Sequence, residues 1–274
     1  MSKLSPPQML AKAIENTNPE QILFVTGAGV SHASGIPTFR GSDFNAIWKK
    51  DPVELGTLKY FQENPAGSWK WYLWRLDNTR DAKPNPGHFA IAALERYQVA
   101  RGGDFLLVTQ NVDTLHEKAG SKNMIKVHGT SDRFRCSRTG CLFGAPEGSI
   151  FVENVDLTAF RENPIEANVP RCAGCNSYLR FHGLWFDETY VGHRSYRWRD
   201  VCNAIETQAK LVVFAGTSFS VGVTDMVLHF GTARNLPIFN IDPQPVLKER
   251  SVVNIAAGSE VALVEVCKEL GIAL

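Results

Sequence analysis

The sequence predicts an α/β fold, a doubly wound parallel Rossmann-like sheet with a smaller module inserted, because short apolar runs alternate with helical patterns. The runs are rich in Val, Ile, Leu and Phe and lack strict polar alternation, which is typical of strands covered on both faces. The predicted strands span residues 22–28, 105–110, 211–215, 237–241 and 252–256.

Helical patterns lie between and after these strands. The spacing of apolar residues predicts helices over residues 90–97 and 195–210. A last helix is predicted from apolar residues that recur at helical spacing, namely Val261, Val264, Cys267 and Leu270.

Two stretches interrupt the alternation of strands and helices. Residues 130–188 hold two close cysteine pairs and many turn residues, and residues 41–86 hold four of the six tryptophans. We therefore expect a sheet-bearing domain, a helical insertion and a small module. The predicted bounds are 1–130 with 189–274 for the sheet domain, 42–86 for the helical insertion and 131–188 for the module.

The charge balance gives no case for binding to nucleic acid or to an anionic membrane surface. The 274 residues carry 29 basic and 28 acidic side chains, a net charge of +1, whereas polyanion binding needs a basic surface. No apolar run approaches the roughly 20 residues of a membrane helix. The N-terminal segment has no apolar signal core, so we expect a cytoplasmic protein.

A glycine-rich loop follows the first predicted strand. Gly27 and Gly29 would let the backbone approach a pyrophosphate, and the N-terminus of a following helix would favour negative charge. The loop is neither a GxGxxG pattern nor a Walker A loop, so a plain glycine turn is the alternative. Farther along, Arg40 beside Phe39 could clamp a phosphate or cover a ring, or it could be an ordinary surface residue.

A polar cluster follows the second long predicted strand. Gln110, Asn111 and Asp113 lie where ligands bind in open α/β sheets, at the carboxyl end of a strand. Polar side chains are unfavourable to bury there without partners, so we expect them to line a site. His128 follows closely beside a glycine and is a natural general base, although most lone histidines are surface or satisfied core residues.

Four of the six cysteines form two close pairs, Cys136 with Cys141 and Cys172 with Cys175. In a chain without a secretion signal, close pairs indicate metal binding more than disulfides. Four thiolates suit a closed tetrahedral structural zinc site. Four unrelated thiols are the alternative. A DNA-binding zinc ribbon is disfavoured because the segment is not strongly basic.

These motifs together resemble those of the sirtuin family, in the same order. The matching segments are GAGVSHASGIPTFRG at 27–41, TQNVDTLHEKAG at 109–120, His128-Gly129 and Gly216-Thr217-Ser218. The resemblance covers the chain from residue 22 to the C-terminus. It implies an NAD-dependent enzyme that removes acyl groups from protein lysine and carries a structural zinc.

The resemblance also implies a mechanism and a set of site residues. The acyl oxygen of a modified lysine would attack the NAD ribose and release nicotinamide. His128 would then act as general base on a ribose hydroxyl, which leads to free lysine and O-acyl-ADP-ribose, with Asn111 and Asp113 as further catalytic residues. The implied NAD contacts are Gly27, Ala28, Gly29, Ser31, Ile36, Phe39, Arg40, Gln110, Asn111, Asp113, Gly216, Thr217, Ser218, Asn240, Ile241, Asp242 and Gly258.

Tyr72 and Arg75 bear on the acyl group. They resemble the Tyr-x-x-Arg pair of sirtuins that remove malonyl, succinyl or glutaryl groups. Residues three apart on a helix share a face, and a guanidinium can bind a carboxylate bidentately. We expect removal of acidic acyl groups alongside simple deacetylation. An aromatic helix whose arginine reaches water is the alternative.

The sequence departs from the family on the peptide side. Phe181, Gly183 and Asp187 replace a proline, a valine and a glycine in the segment that pairs with the substrate backbone in sirtuins. Trp185 and Phe186 in that segment are expected to contact the substrate. The departures leave open a mono-ADP-ribosyltransferase or an NAD glycohydrolase. A non-catalytic NAD-binding regulator is a second alternative.

Overall fold

The computed structural model describes residues 4–37 and 52–274, with the backbone alone for Pro52 and Val53. The predicted NAD contacts at Phe39 and Arg40 therefore lie outside the described residues. Within those residues the strands are β1 (Gln21–Thr26), β2 (Asp104–Thr109), β3 (Met124–Lys126), β4 (Gly129–Cys136), β5 (Ile150–Phe151), β6 (Leu179–Gly183), β7 (Ala209–Ala215), β8 (Ile238–Ile241) and β9 (Val252–Ile255).

The larger sheet is parallel and has the strand order β3-β2-β1-β7-β8-β9. Alternate residues of β1 enter two different cores: Ile22 and Phe24 pack on one face, Leu23 and Val25 on the other. Both faces are covered, which explains the continuous apolar runs. The predicted doubly wound α/β fold is confirmed, and each predicted strand coincides with an observed one. Strand β3 is short and was not among them.

The helices cover these two faces and one side of the smaller sheet. Their bounds are α1 (Pro6–Asn16), α2 (Gly29–His32), α3 (Pro52–Leu55), α4 (Leu58–Glu63), α5 (Pro65–Thr79), α6 (Pro86–Ala100), α7 (Leu115–Ala119), α8 (Thr158–Glu162), α9 (Trp198–Asn203), α10 (Gly222–Ala233) and α11 (Ser259–Glu269). The predicted helix at 90–97 lies within α6, and the last predicted helix is α11.

The predicted helix over residues 195–210 is wrong at both ends. Arg197 has a φ of +46°, a left-handed conformation that a helix interior does not adopt, so α9 begins only at Trp198. A π-helical turn occupies Ala204–Gln208, and strand β7 begins at Ala209. The apolar spacing in this segment reflects packing of a helix and a strand in succession.

The smaller sheet is antiparallel, with strand order β5-β4-β6. Its aromatic core includes Trp69 from helix α5, whose ring lies 4.9 Å from that of Phe134 and 5.0 Å from that of Phe181. The Trp69 indole also donates to the carbonyl of Leu179 at 2.8 Å. Helix α5 of the predicted insertion therefore packs on the smaller sheet. The domain bounds at 131 and 188 stay a prediction.

Candidate active site

A cavity of about 490 Å³ lies at the carboxyl ends of the central strands. The register aligns Thr26 with Thr109 on one side and with Ala215 on the other, so the loops that follow β1, β2 and β7 converge. The opposite wall comes from helix α5 and from the segment after β6. The volume is within the range of about 300–1,000 Å³ that is common for small-molecule sites.

Most of the predicted site residues line this cavity. They are Gly27, Ala28, Gly29, Ser31, Ile36, Tyr72, Arg75, Gln110, Asn111, Asp113, His128, Trp185, Phe186, Gly216, Thr217, Ser218 and Asp242. Three others are placed elsewhere: Asn240 and Ile241 are fully buried in β8, and Gly258 caps the N-terminus of α11. The contact of these three with a cofactor stays a prediction.

The glycines after β1 pack directly against the loop after β7. A Cβ on Gly27 would lie 2.7 Å from the carbonyl oxygen of Gly216, and one on Gly29 would lie 2.7 Å from the Gly216 Cα. Gly216 itself has a φ of +59°, which glycine adopts without steric cost. The close approach of two loops therefore requires glycine at these positions even before a ligand binds.

The N–H groups of this loop are largely used within the protein. Those of Gly27, Gly29, Val30 and Ser31 all donate to backbone carbonyls. Helix α2 has only four residues, so it has little of the dipole that a long helix would present to a phosphate. The loop thus offers close backbone approach rather than a set of free donors.

Ser31 ties Asn111 and Asp113 together. The Asn111 amide donates to Ser31 Oγ at 3.1 Å and to the carbonyl of Gly27 at 3.0 Å. The Ser31 hydroxyl donates to Asp113 Oδ2 at 2.9 Å, and the N–H of Leu115 donates to Asp113 Oδ1 at 3.0 Å. Both polar side chains of the predicted cluster are therefore held in fixed orientations at the cavity wall.

His88 extends this network, although sequence reasoning gave it no role. The N–H of Asn85 donates to His88 Nδ1 at 3.3 Å, so Nε2 carries the proton that points to Ser31 Oγ at 3.5 Å. Burial lowers the pKa of His88 to about 4, against the opposing charge of Asp113. The Asn-Pro start of helix α6 with a histidine at its third position was the signal in the sequence.

His128 is placed as a neutral base. Its Nδ1 lies 3.0 Å from the carbonyl oxygen of Gln110; a carbonyl can only accept, so Nδ1 carries the proton and Nε2 holds the lone pair. Burial lowers the pKa of His128 to about 4, and the bond to Gln110 opposes that shift. The Nε2 atom lies 3.3 Å from the hydroxyl of Tyr190, a residue that sequence reasoning missed.

Tyr72 and Arg75 line the cavity from helix α5. The Tyr72 ring stacks on Phe181 at 4.7 Å with planes 21° apart. The Arg75 guanidinium lies 5.2 Å from the ring centre of Trp71. Burial raises the pKa of Tyr72, partly offset by the charge of Arg75, and burial lowers the pKa of Arg75 to about 10. The Arg75 side chain is half-buried, so its charge is partly desolvated.

Trp185 adds a buried donor beside this pair. Its side chain is 3% exposed, and its ring stacks 5.9 Å from that of Tyr72. The indole nitrogen lies near the Tyr72 hydroxyl, but it makes no well-formed hydrogen bond among the described residues. A buried N–H without a well-formed hydrogen bond is unfavourable by about 1–3 kcal/mol, and the Tyr72 hydroxyl is the acceptor beside this donor.

Two of the three departures on the peptide side have structural explanations. Phe181 provides the aromatic surface on which Tyr72 stacks. Asp187 accepts hydrogen bonds from the N–H groups of Leu58 and Lys59, at 2.7 and 3.1 Å, and so caps helix α4. Nothing in the described structure explains the glycine at position 183.

Glu188 anchors the segment that follows strand β6. It accepts from Arg180 at 2.6 and 2.8 Å, from Arg135 at 3.0 Å and from the N–H of Trp185 at 3.0 Å. Burial would raise the pKa of Glu188, but the bonds to Arg180 and the charges of both arginines outweigh it and hold the pKa below 4.5. Sequence reasoning missed Glu188, because its partners lie on two different strands.

The four predicted cysteines meet at one point in the smaller module. Cys136 Sγ lies 3.4 Å from Cys175 Sγ, and Cys141 Sγ lies 3.6 Å from Cys172 Sγ. All four sulfur atoms lie within 4.8 Å of one another. A tetrahedron with Zn–S bonds of about 2.3 Å has sulfur atoms about 3.8 Å apart. The donor set and its spacing therefore fit one structural zinc ion.

Fold and site together define a class: a Rossmann-like protein with a ligand cavity at the strand ends and an inserted four-cysteine module. The model of the Sir2 family matches residues 27–223. An NAD-dependent protein deacylase of Thermus thermophilus is 36% identical over 227 residues, which are 82% of this chain and 80% of that protein. The NAD-dependent deacetylase sir2E of Dictyostelium discoideum is 31% identical over 93% of this chain and 75% of its own.

A solved structure supports the same assignment. The complex of a Sir2 homologue with NAD is 31% identical, has a TM-score of 0.78 and covers 98% of this chain and 95% of its own. The chain therefore belongs to the Sir2 family. The described helices include none with the length and apolar character needed to cross a membrane.

Proposed function

We propose that this protein is an NAD-dependent deacylase of protein lysine side chains, with a preference for short acidic acyl groups. The observation that carries the proposal is the continuity of one cavity. Its walls include the glycine loop, the Asn111–Asp113 pair, His128, Tyr72 and Arg75. A dinucleotide and an acyl-lysine could meet beside the base.

The dinucleotide end of the cavity is formed by the two interlocked glycine loops. Gly27, Ala28 and Gly216 line the cavity, and Thr217 and Ser218 add hydroxyl groups. The Asn111 and Asp113 side chains are held by Ser31, so they would orient a carboxamide such as that of nicotinamide without reorganising.

His128 would provide the proton transfer. NAD, when bound, supplies the ribose carbon that the acyl oxygen attacks and the nicotinamide that leaves. The Nε2 atom of His128 would accept a proton from a ribose hydroxyl, while Gln110 holds Nδ1 as a donor. The low pKa keeps the ring neutral at pH 7, which is the form a base must have.

The part of the cavity around Tyr72 and Arg75 favours an acyl group that carries a carboxylate. The Arg75 guanidinium, the Tyr72 hydroxyl and the Trp185 indole N–H lie within one aromatic wall. A carboxylate carries two oxygens that can accept from an arginine and from neutral donors together. An acetyl group offers no such pair of oxygens. A succinyl or malonyl group therefore fits this end better.

Substrate peptide would enter along the segment after β6. Phe186 is half exposed there, and Gly183 and Leu184 line the cavity. Asp187 is engaged by helix α4, so its charge is partly neutralised by the helix N-terminus. The change to Asp at this position is therefore a weaker argument for an acceptor other than acyl-lysine. A cytoplasmic location also remains a prediction.

The test compares matched peptides that differ in the acyl group alone. Purified protein is incubated with NAD and an acetyl- or succinyl-lysine peptide, and kcat/KM for each product is measured by mass spectrometry. We expect faster succinyl removal in the wild type, and loss of that advantage in Tyr72→Phe with Arg75→Met. Faster acetyl removal would make these residues packing groups of a general deacetylase.

The same experiment separates the rival functions. If nicotinamide is released while both peptides stay intact, the enzyme is an NAD glycohydrolase or an ADP-ribosyltransferase. If neither nicotinamide nor peptide changes, and calorimetry still shows NAD binding, the protein is a non-catalytic regulator. His128→Ala serves as the control for chemistry at the base.

A further inference from the structure

The chain segment that leaves the smaller sheet places Tyr190 over His128. The two ring centroids are 5.8 Å apart and the planes differ by 22°. The Tyr190 ring also stacks on Trp198, at 4.1 Å and 12°. Both Tyr190 and His128 line the cavity. The phenol ring is therefore fixed by stacking, and its hydroxyl is directed at the imidazole.

The hydrogen bond between these side chains has a defined direction. Since Nδ1 of His128 donates to the Gln110 carbonyl, the Nε2 atom of the neutral ring can only accept. The Tyr190 hydroxyl, 3.3 Å away, is therefore the donor. Burial raises the pKa of Tyr190, an effect larger than the opposing bond from the Val223 backbone, so the phenol keeps its proton.

This bond uses the lone pair that the reaction needs. An imidazole nitrogen has one lone pair in the ring plane, which cannot fully accept from two hydroxyl groups at once. A ribose hydroxyl that gives its proton to Nε2 must take the place of the phenol. The hydrogen bond seen here therefore belongs to the enzyme before the substrate hydroxyl arrives.

We propose that Tyr190 is a positioning residue for the base: its hydroxyl holds Nε2 of His128 toward the cavity in the free enzyme and yields that site to the substrate hydroxyl. The inference rests on the proposed function, in which His128 is the base. During the exchange Tyr190 keeps its own proton, and the ribose proton passes to Nε2. The stacked rings keep the imidazole plane in place.

The charged groups around the pair belong to several elements. The cavity that His128 faces is also lined by Asp113, Glu188, Arg75 and Asp242. Asp225 on helix α10 acts on Tyr190, although less than burial does. None of these side chains changes in a Tyr190→Phe variant, which removes one oxygen and keeps the stacked ring.

The first measurement reads the hydrogen bond without any turnover. Protein with ¹⁵N-labelled histidine is examined by NMR at pH 7, where a bond to the Nε2 lone pair moves its resonance away from that of a bare nitrogen. We expect the wild type to show the bonded position and Tyr190→Phe the bare one. Tyr178→Phe, a distant tyrosine bound to exposed Glu166, should match the wild type.

The second measurement follows activity against pH. A donor to the neutral imidazole stabilises that form, so its loss should raise the acidic pKa of kcat/KM by roughly 0.5–1 unit, the equivalent of one neutral hydrogen bond. The acidic pKa of kcat should not move, because kcat reports the complex in which the substrate hydroxyl has replaced the phenol.

Three results would overturn the inference. An unchanged Nε2 resonance in Tyr190→Phe would show that the bond is absent in the free enzyme. An equal shift of both acidic pKa values would show that the phenol stays bonded in the complex. An Nε2 signal in the wild type that does not respond to added NAD would exclude the exchange. These NMR results hold even if no acyl peptide is turned over, which would instead refute the proposed function.

Discussion

Asp187 and Leu58 join the segment after β6, the proposed substrate segment, to the helical insertion: the carboxylate accepts the backbone N–H at 2.7 Å. A second bond to the N–H of Lys59, at 3.1 Å, completes the cap of helix α4. This departure from the family pattern therefore satisfies donors that a glycine would leave to water. The conformation of the substrate segment and the position of α4 are coupled through this carboxylate.

We predict that Asp187→Ala lowers the free energy of unfolding by about 0.5–2 kcal/mol, the usual effect of losing a helix cap. Because the substrate segment loses its anchor, KM for the peptide should rise more than KM for NAD. Urea unfolding and steady-state kinetics measure both. Asp200→Ala, which removes an exposed pair with Arg197, is the control and should change stability little. Equal effects of the two variants would refute the coupling.

Glu188→Gln should destabilise the protein by on the order of 3 kcal/mol, because two buried guanidinium groups lose their anion. The pKa of Glu188 is lowered in the folded state, so its contribution is full above pH 4.5. It is lost as the pH falls through the lower folded pKa. Unfolding between pH 3 and 7 should therefore depend less on pH in the variant.

A matched control is Glu63→Gln, at an exposed pair with Lys59. It should leave both the stability and its pH dependence near those of the wild type. A Glu188→Gln variant with the same acid unfolding curve as this control would contradict the prediction.

His128 should act as a base well below neutral pH. An ordinary histidine would lose half of its neutral form near pH 6.5, but burial lowers the pKa of His128 to about 4. We expect kcat/KM to stay level from pH 7 to near pH 5 and to fall as the ring gains a proton. His128→Ala should lower kcat/KM by roughly 10²–10⁴-fold, whereas exposed His229→Ala should not. An acidic limb centred near pH 6.5 would contradict the buried environment.

The cysteine cluster should hold one zinc ion per chain, measured by mass spectrometry of the intact protein and by metal analysis. Removing the ion with a chelator should lower Tm, since the four thiolates lose their common partner. Cys172→Ser should lower the zinc content, whereas Cys202→Ser, outside the cluster, should keep it. A metal-free protein with an unchanged Tm would show that the site is not structural.

Gly27→Ala should disrupt both loops at once. The new Cβ would meet the Gly216 carbonyl oxygen at 2.7 Å, a distance that forces one loop to move. We expect a loss of NAD affinity measured by calorimetry and a lower Tm. Gly35→Ala is a partial control: within 4 Å of its Cβ there is no contact from the described residues, although its φ is +81°. If the two variants behave alike, backbone conformation rather than loop contact sets the effect.

The sequence predicts the centre of the larger sheet well because β1, β7 and β8 are buried on both faces, and uniform apolar runs identify such strands directly. It fails over residues 195–210, where Arg197 in a left-handed conformation ends one segment and a strand begins inside the predicted helix. A conformation that depends on one residue and on packing around it leaves no periodic signal.

The site residues also divide into those that the sequence predicts and those that it does not. Residues that follow strand ends, such as Asn111 and Asp113, are predictable because parallel strands end at one edge. Tyr190 and Glu188 are not, since their partners lie on other elements and their spacing follows no motif. The donor of Trp185 could be identified only from its burial without a partner.

The interlock of Gly27 and Gly216 also has a consequence for the order of events on the ribosome. Strand β1 can pair with β2 early in synthesis, but it can pair with β7 only after most of the chain has emerged. Contacts between distant segments form late in folding. A nascent or truncated chain that ends before Gly216 would therefore expose the first loop without its counterpart, and nucleotide affinity would arise only when about the last fifth of the chain is made.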